Sequence, residues 1–343
     1  MPAQDADRTE PRKTMDVQLI VVLFLVLAAE FVNGWTDAPN AIATVVSTRV
    51  VSPRIAVILA VLLNIVGALA GTSVAYTIGK GIVNSSAINL GTIAAAQVAI
   101  VVWSSIAARF GIPTSESHAL VAGLAGAGLA VAGPDVLVWS GWQKVIIGLF
   151  YSSLLGFAGA WVIGKAIQFF FGKGPPSASR RAFNRLQLFS AAFVAFNHGM
   201  NDGQKFIGVF ALALSLGGIL PVFRIPLWVI LLCSVTMGIG TSVGGWRIIR
   251  MLGQKMVHIE SWQGFGAEFA ASSTILAASL SGIPLSTTHT ITTSLMGVTA
   301  ARRLSIVRWR HSREIAIAWL VTFPVCGAIA FVCSVLFQRL IGK

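Results

Sequence analysis

Six ionisable side chains, Glu30, Asp37, Glu116, Asp202, Lys205 and Glu268, lie inside long apolar stretches of this sequence. Charge is expensive in such surroundings, and ionisable groups there usually mark the path of a polar ligand. Asp37 and Asp202 each follow a glycine, Gly34 and Gly199, in stretches that read as too polar for an uninterrupted helix. Irregular backbone at membrane depth is tolerated only inside protein or along a water-filled cavity, so both acids are expected at an internal interface. A second chemistry follows each Gly-Ile-Pro. Thr114, Ser115 and Ser117 come after one, and Ser286, Thr287 and Thr288 after the other. Proline suits the start of a helix, where no hydrogen bond is lost. Hydroxyls beside the free N–H groups of a helix start make a ready anion site. Carboxylates for a cation and hydroxyl-bearing helix starts for an anion thus recur together.

Blander chemistry fits parts of this pattern. Ser and Thr are ordinary N-caps, and Asp202 lies one helical turn from Lys205, within salt-bridge reach. Ser115 with His118 and Ser286 with His289 have the spacing of a nucleophile and its base, but no third orienting group is evident. No H-E-x-x-H or C-x-x-C spacing supports a metal enzyme. Gly123, Gly126 and Gly128 read as a close helix-packing face, with no lysine following as a phosphate-binding loop requires. Cys233, Cys326 and Cys333 sit in apolar segments as packed or lipid-facing side chains. No catalytic group is assigned, and neither enzymatic activity nor a cofactor is expected.

The elements that must position these groups are membrane helices. Of 343 residues, 55% are hydrophobic and 11% charged, and mean hydropathy is +0.80; soluble domains carry about 25% charged residues. Soluble enzymes, disulfide scaffolds and disordered chains are excluded. The net charge of +13 would suggest nucleic acid in a soluble protein, but here the cations cluster between apolar runs, so no nucleic-acid partner is expected. Apolar segments lie at 17–34, 54–79, 90–110, 114–133, 141–171, 186–200, 205–220, 226–245, 264–281, 286–301 and 314–340. They are too long and continuously apolar for barrel strands. The first is read as a membrane segment because acids outweigh bases ahead of it, unlike a signal peptide. The fold class is all-α.

The chain resembles itself. Phe31-Val-Asn-Gly-Trp-Thr-Asp37 recurs as Phe196-Asn-His-Gly-Met-Asn-Asp202, Gly71-Thr-Ser-Val74 as Gly240-Thr-Ser-Val243, and Gly111-Ile-Pro-Thr-Ser-Glu-Ser-His118 as Gly282-Ile-Pro-Leu-Ser-Thr-Thr-His289. In the last register Gln97 pairs with Glu268. Ordered recurrence at a nearly constant offset marks an internal repeat. The expected organisation is a polar N-terminal tail (1–15), a membrane repeat (16–172), a basic cytoplasmic linker (173–185) and a second membrane repeat (186–343). Each repeat is taken to hold an interrupted crossing, a whole crossing, a re-entrant pair turning at Gly-Ile-Pro and a final crossing. Three crossings per repeat invert the second relative to the first. With the linker inside, fourteen loop cations fall on the cytoplasmic side against Lys80, Lys144 and Arg224 outside, as the positive-inside rule requires. Both termini then lie outside.

In these motifs the chain resembles the PiT inorganic phosphate transporter family. The family signature, Gly-x-Asn-Asp-x-x-Asn, is matched by Gly34-Trp-Thr-Asp-Ala-Pro-Asn40 and Gly199-Met-Asn-Asp-Gly-Gln-Lys205, each followed by Pro-x-Ser-x-x-His. The resemblance spans both repeats. It implies symport of phosphate with sodium or a proton across the cell membrane by a homodimer of inverted repeats. By motif match it places cation coupling, or sodium ligation, on Asp37, Asn40, Asn201 and Asp202, and the anion on Ser115, Ser117, Ser286 and Thr287. Thr114 and Thr288 adjoin the anion ligands; Gln97 joins them, and Glu268 the cation side, through the repeat. Thr36 replaces the expected asparagine, leaving the coupling ion open, and Glu116 stands within the anion-binding turn, where a neutral carboxyl could donate a hydrogen bond or carry a proton. Sulfate permeases resemble the same family, so sulfate is the alternative substrate. An anion channel and a membrane-embedded hydrolase are remoter readings.

Overall fold

A computed structural model describes residues 16–110, 112, 114–171, 176–255, 259–307 and 309–341. The N-terminal tail 1–15, Gly111, Pro113 and linker residues 173–175 lie outside the described residues. Among the described residues the chain is helical, without a named strand: α1 (Val17–Ser47), α2 (Pro53–Leu69), α3 (Ser73–Gly81), α4 (Leu90–Phe110), α5 (Glu116–Ala132) and α6 (Trp139–Phe171), then α7 (Pro176–His198), a π-helical segment (Gly199–Gly203), α8 (Gln204–Leu216), α9 (Leu227–Lys255), α10 (Ser261–Leu280), α11 (Thr287–Arg302) and α12 (Trp309–Ile341).

Local chemistry sets the boundaries. Asp16 caps α1, and Pro53 opens α2, where its missing N–H costs nothing. The polar Gly71-Thr72 pair separates α2 from α3, which bends away by 68°. Glu260 and Gln263 form a reciprocal capping box at the start of α10. Ser286 caps α11 by accepting from the His289 N–H at 3.2 Å. Gly133, at φ 69° and ψ −166°, ends α5 in a backbone conformation open essentially to glycine alone.

Two sequence expectations are corrected here. The first acidic motif does not interrupt a crossing: α1 runs unbroken from Val17 to Ser47. Within the second motif the helix also continues, but through the π-helical segment that carries Asn201 and Asp202. Such a segment accommodates an extra residue in the helical ladder, so polar side chains can be re-aimed without exposing backbone groups. α7 begins at Pro176, so residues 176–185 of the expected linker are helical.

The two parts of the chain are not packed side by side. α1 lies on α9 and α2 on α7, while α5 packs on α12, α11 on α6 and α3 on α8. Glycines permit these crossings. Gly34 faces the Met237 backbone and Gly240 the Phe31 backbone; Gly67 faces Phe196 and Gly199 faces Asn64. Gly126, singled out in the sequence as a packing residue, abuts Gly327 of α12.

Polarity is distributed as a bilayer solvent demands. Phe24, Leu62, Phe150, Leu154, Phe169 and Leu320 are exposed, whereas Glu30, Asn33, Gln97, His198 and Asn201 are fully buried. Among the described residues, five helices are long and apolar enough to cross a membrane, or six if bent α2–α3 is one span. Large exposed apolar surface around a polar interior identifies a membrane protein. Cys233 and Cys326 are packed inside rather than lipid-facing, the latter donating to the Ala119 carbonyl at 3.2 Å.

A Cβ at Gly199 would stand 2.0 Å from the Asn64 carbonyl oxygen, whereas one at Gly159 meets nothing closer than 3.7 Å. Gly199→Ala should therefore lower stability by about 1–3 kcal/mol through overpacking, and Gly159→Ala should not; thermal unfolding in detergent compares the two.

Candidate functional site

The acids and hydroxyls read from the sequence converge where α1, the π-helical segment and α8 meet the starts of α5 and α11. Thr288 links two motif residues, donating to Asp37 Oδ1 at 3.0 Å and accepting from Asn40 Nδ2 at 2.8 Å. Its neighbour Thr287 donates to Asp202 Oδ2 at 2.7 Å. Both hydroxyls belong to the first turn of α11, which Ser286 caps, so the cap that starts the helix also aims them.

The start of α5 enters from the other side. Ser117 donates to the Leu285 carbonyl, just before α11, at 2.7 Å. One turn on, His118 and His289 set their rings 5.1 Å apart, and Phe323 of α12 packs on His118 at 5.2 Å. The starts of α5 and α11 thus meet. Ser115 is buried before α5 but makes no side-chain cap, and Thr114 is half-buried beside it.

Asp202 is almost fully buried and surrounded by potential partners. Lys205 makes the salt bridge that the sequence offered as the blander explanation of this acid. His198 Nε2 lies 3.3 Å from Asp202 Oδ2 and its Nδ1 lies 3.2 Å from Asn64 Oδ1. The Lys205 ammonium also donates to Ser117 and, at 3.0 Å, to the Leu285 carbonyl. Buried charges persist only where paired and hydrogen-bonded, and this set meets that condition. Asp37, His198 and Asp202 each place a potential ligand atom within 4.8 Å of the others, though both Asp202 oxygens already accept from Lys205 and Thr287.

Other expected residues lie apart from this cluster. Asn201 donates to Ser279 at 2.9 Å and to the Ile283 carbonyl at 3.3 Å, tying the π-helical segment to the end of α10 and the loop beyond it. Glu116 accepts from Thr36 at 3.0 Å and from Ser104 at 2.6 Å, so its carboxyl is held by α1 and α4. Glu268 accepts from Thr44 and Ser190, and no hydrogen bond joins it to Asp37 or Asp202 among the described residues. Gln97 is buried with neither amide atom partnered, and makes no contact with the anion hydroxyls by hydrogen bond. A cavity of about 870 Å³ opens elsewhere, at the ends of α1, α6 and α11 and the starts of α7 and α10, lined by Arg49, Arg180 and Arg302 among others.

The sequence marks Lys205 as a costly ionisable residue and a salt-bridge partner of Asp202 but assigns it no ligand role, and it does not single out His198. The repeat carries a signal for Lys205, because it occupies the position that Asn40 holds in the first motif. His198 likewise aligns with Asn33, but nothing in that pairing points to Asp202. Ser104, Thr44 and Ser190 had no motif to mark them; only packing shows them as partners of Glu116 and Glu268.

A lipid-facing helical shell, polar motifs buried at its centre and helix starts meeting there define a polytopic membrane protein. The chain belongs to the phosphate transporter family, whose model matches residues 33–177 and 172–330. It is 40% identical over 317 residues to a "probable low-affinity inorganic phosphate transporter" of Rhizobium meliloti (strain 1021), covering 92% of this chain and 95% of the relative. A protein of the same description from Bacillus subtilis (strain 168) is 37% identical, over 94% of this chain and 100% of the relative. A solved structure described as "the sodium-dependent phosphate transporter" superposes with a TM-score of 0.86 at 25% identity, covering 95% of this chain and 100% of that one.

Ser286→Ala removes the cap that orders the first turn of α11 and should cost about 1 kcal/mol of stability. Thr287→Val keeps the cap but deprives Asp202 of a donor, so it should weaken phosphate binding more than it lowers the unfolding temperature. Thermal unfolding with and without phosphate separates the two effects.

Proposed function

We propose that this protein is a secondary active transporter that carries inorganic phosphate across the cell membrane in symport with sodium or a proton. The observation that carries the reading is the double hydroxyl bridge from α11, Thr288 to Asp37 and Thr287 to Asp202, which ties both acidic motifs to one anion-binding helix start. Asp37, Asn40 and Thr288 present hard oxygens suited to a cation such as sodium. Ser115 and Ser286, with the N–H groups of α5 and α11, supply donors for a tetrahedral oxyanion, and Ser117 and Thr287 join them when they release Leu285 and Asp202. Asn201 positions the second motif, while Gln97 on α4, Glu116 at the start of α5 and Glu268 on α10 shape the surroundings.

Bound cation and bound anion neutralise one another in a site where either alone would be an uncompensated charge. That mutual requirement is what couples their movement. The succession of helices is similar in residues 16–172 and 186–343, and their reciprocal packing supports two inverted repeats, with α4–α5 and α10–α11 as the re-entrant pairs. Rocking of one helix group against the other would open the buried site to each side in turn. A homodimer is the assembly we expect.

Labelled phosphate uptake into proteoliposomes, under a sodium gradient and separately a proton gradient with excess sulfate, tests the proposal. Accumulation driven by one gradient and indifferent to sulfate is the expected result; accumulation of labelled sulfate instead would assign the wrong substrate. Asp37→Asn should reduce concentrative uptake at least ~10-fold, equivalent to about 1.4 kcal/mol, in protein that still unfolds cooperatively.

A further inference from the structure

We infer that the ammonium of Lys205 is a built-in cation that takes the place of a coupling sodium at the second acidic motif, leaving Asp37 as the acid that receives a mobile one. The inference rests on the reading of the two motifs as cation sites, and it is carried by a comparison within the molecule.

In the internal repeat, Asn40 corresponds to Lys205, Asp37 to Asp202 and Ser117 to Thr288. Their contacts correspond too. Asn40 donates to Thr288 from the start of the opposite motif, and Lys205 donates to Ser117. The lysine therefore keeps the bond its counterpart makes and adds another, the salt bridge to Asp202. Among the described residues no lysine or arginine forms a salt bridge with Asp37, although the Lys205 charge lies close enough to act on it across Asp202.

Occupancy at the two acids differs accordingly. Asp202 Oδ1 is taken by the ammonium and Oδ2 by the Thr287 hydroxyl. A sodium ion there would have to displace a tethered positive charge, to which like charge is repelled at close range. Stability alone gives little reason for the pair, because a buried ion pair commonly contributes no more than well-packed apolar residues would. A fixed positive charge beside the anion-binding hydroxyls has a direct use, however. It offsets part of the charge of the phosphate, so one fewer mobile cation must accompany each anion. Lys205 also lies against Ser117 and the Leu285 carbonyl, at the junction of the two helix starts, where it can meet the anion when Asp202 releases it.

The test counts sodium ions. Purified full-length protein, Lys205→Asn and Lys205→Arg are compared by equilibrium binding of labelled sodium, with choline maintaining ionic strength, and by labelled phosphate uptake after reconstitution. Lys205→Asn should bind one more sodium per chain than the parent and show a steeper sodium dependence of uptake, while Lys205→Arg should keep the parental sodium count. Equal counts in Lys205→Asn and the parent would overturn the inference. Should Lys205→Asn fail to fold, Asp202→Asn decides the matter, since an acid already occupied by lysine holds no sodium: an unchanged count supports the built-in cation, and a lost sodium overturns it. Absence of phosphate uptake by the parent would instead refute the transport reading and leave the sodium count standing as its own result.

Discussion

A carboxylate withdrawn from water must collect donors or a counter-charge, and Asp202 collects them from across the chain. Lys205 comes from its own helix turn, His198 from the turn before and Thr287 from α11, more than eighty residues away. Satisfying that one group fixes the register of the π-helical segment against the start of α11. Because Thr288 adjoins Thr287 and reaches Asp37, the same helix start also fixes α1. The placement of three elements thus follows from the electrostatic needs of two buried acids.

The opposed helix starts give those acids something to work with. N-terminal N–H groups and hydroxyls favour negative charge, and the acids disfavour it unless a cation intervenes. Around this core, Glu116 and Glu268 are each held by two hydroxyl donors from other helices, so they act as polar fasteners between helices rather than as members of the central cluster.

Much of this was legible because chemistry and repetition coincide. The acidic motifs, the post-proline hydroxyls and the membrane class can be read from residue types in apolar runs, and the structure brings Asp37, Asn40, Asp202, Thr287 and Thr288 together. Backbone state was not legible. Polar motifs suggested breaks, yet α1 passes through Asp37 unbroken and the second motif becomes a π-helical turn, because neighbouring helices supply donors that water would otherwise provide. Nor could repetition place Gln97, whose counterpart Glu268 bonds two hydroxyls while its own amide stays unpartnered. Equivalent positions in a repeat share a backbone path, but their partners depend on side chains that have diverged.

The exchange of partners between early and late parts of the chain bears on how the protein is made. α1 carries Glu30, Asn33 and Gly34 on buried surface, but the helix that covers Gly34, α9, emerges from the ribosome some two hundred residues later. α5 waits about as long for α12. During that interval the first helices must sit in the bilayer with polar side chains and glycine-lined grooves uncovered, so insertion and packing are separate events in time. α12 completes a contact begun by a helix made far earlier, so the groove on α5 closes only when α12 packs against it.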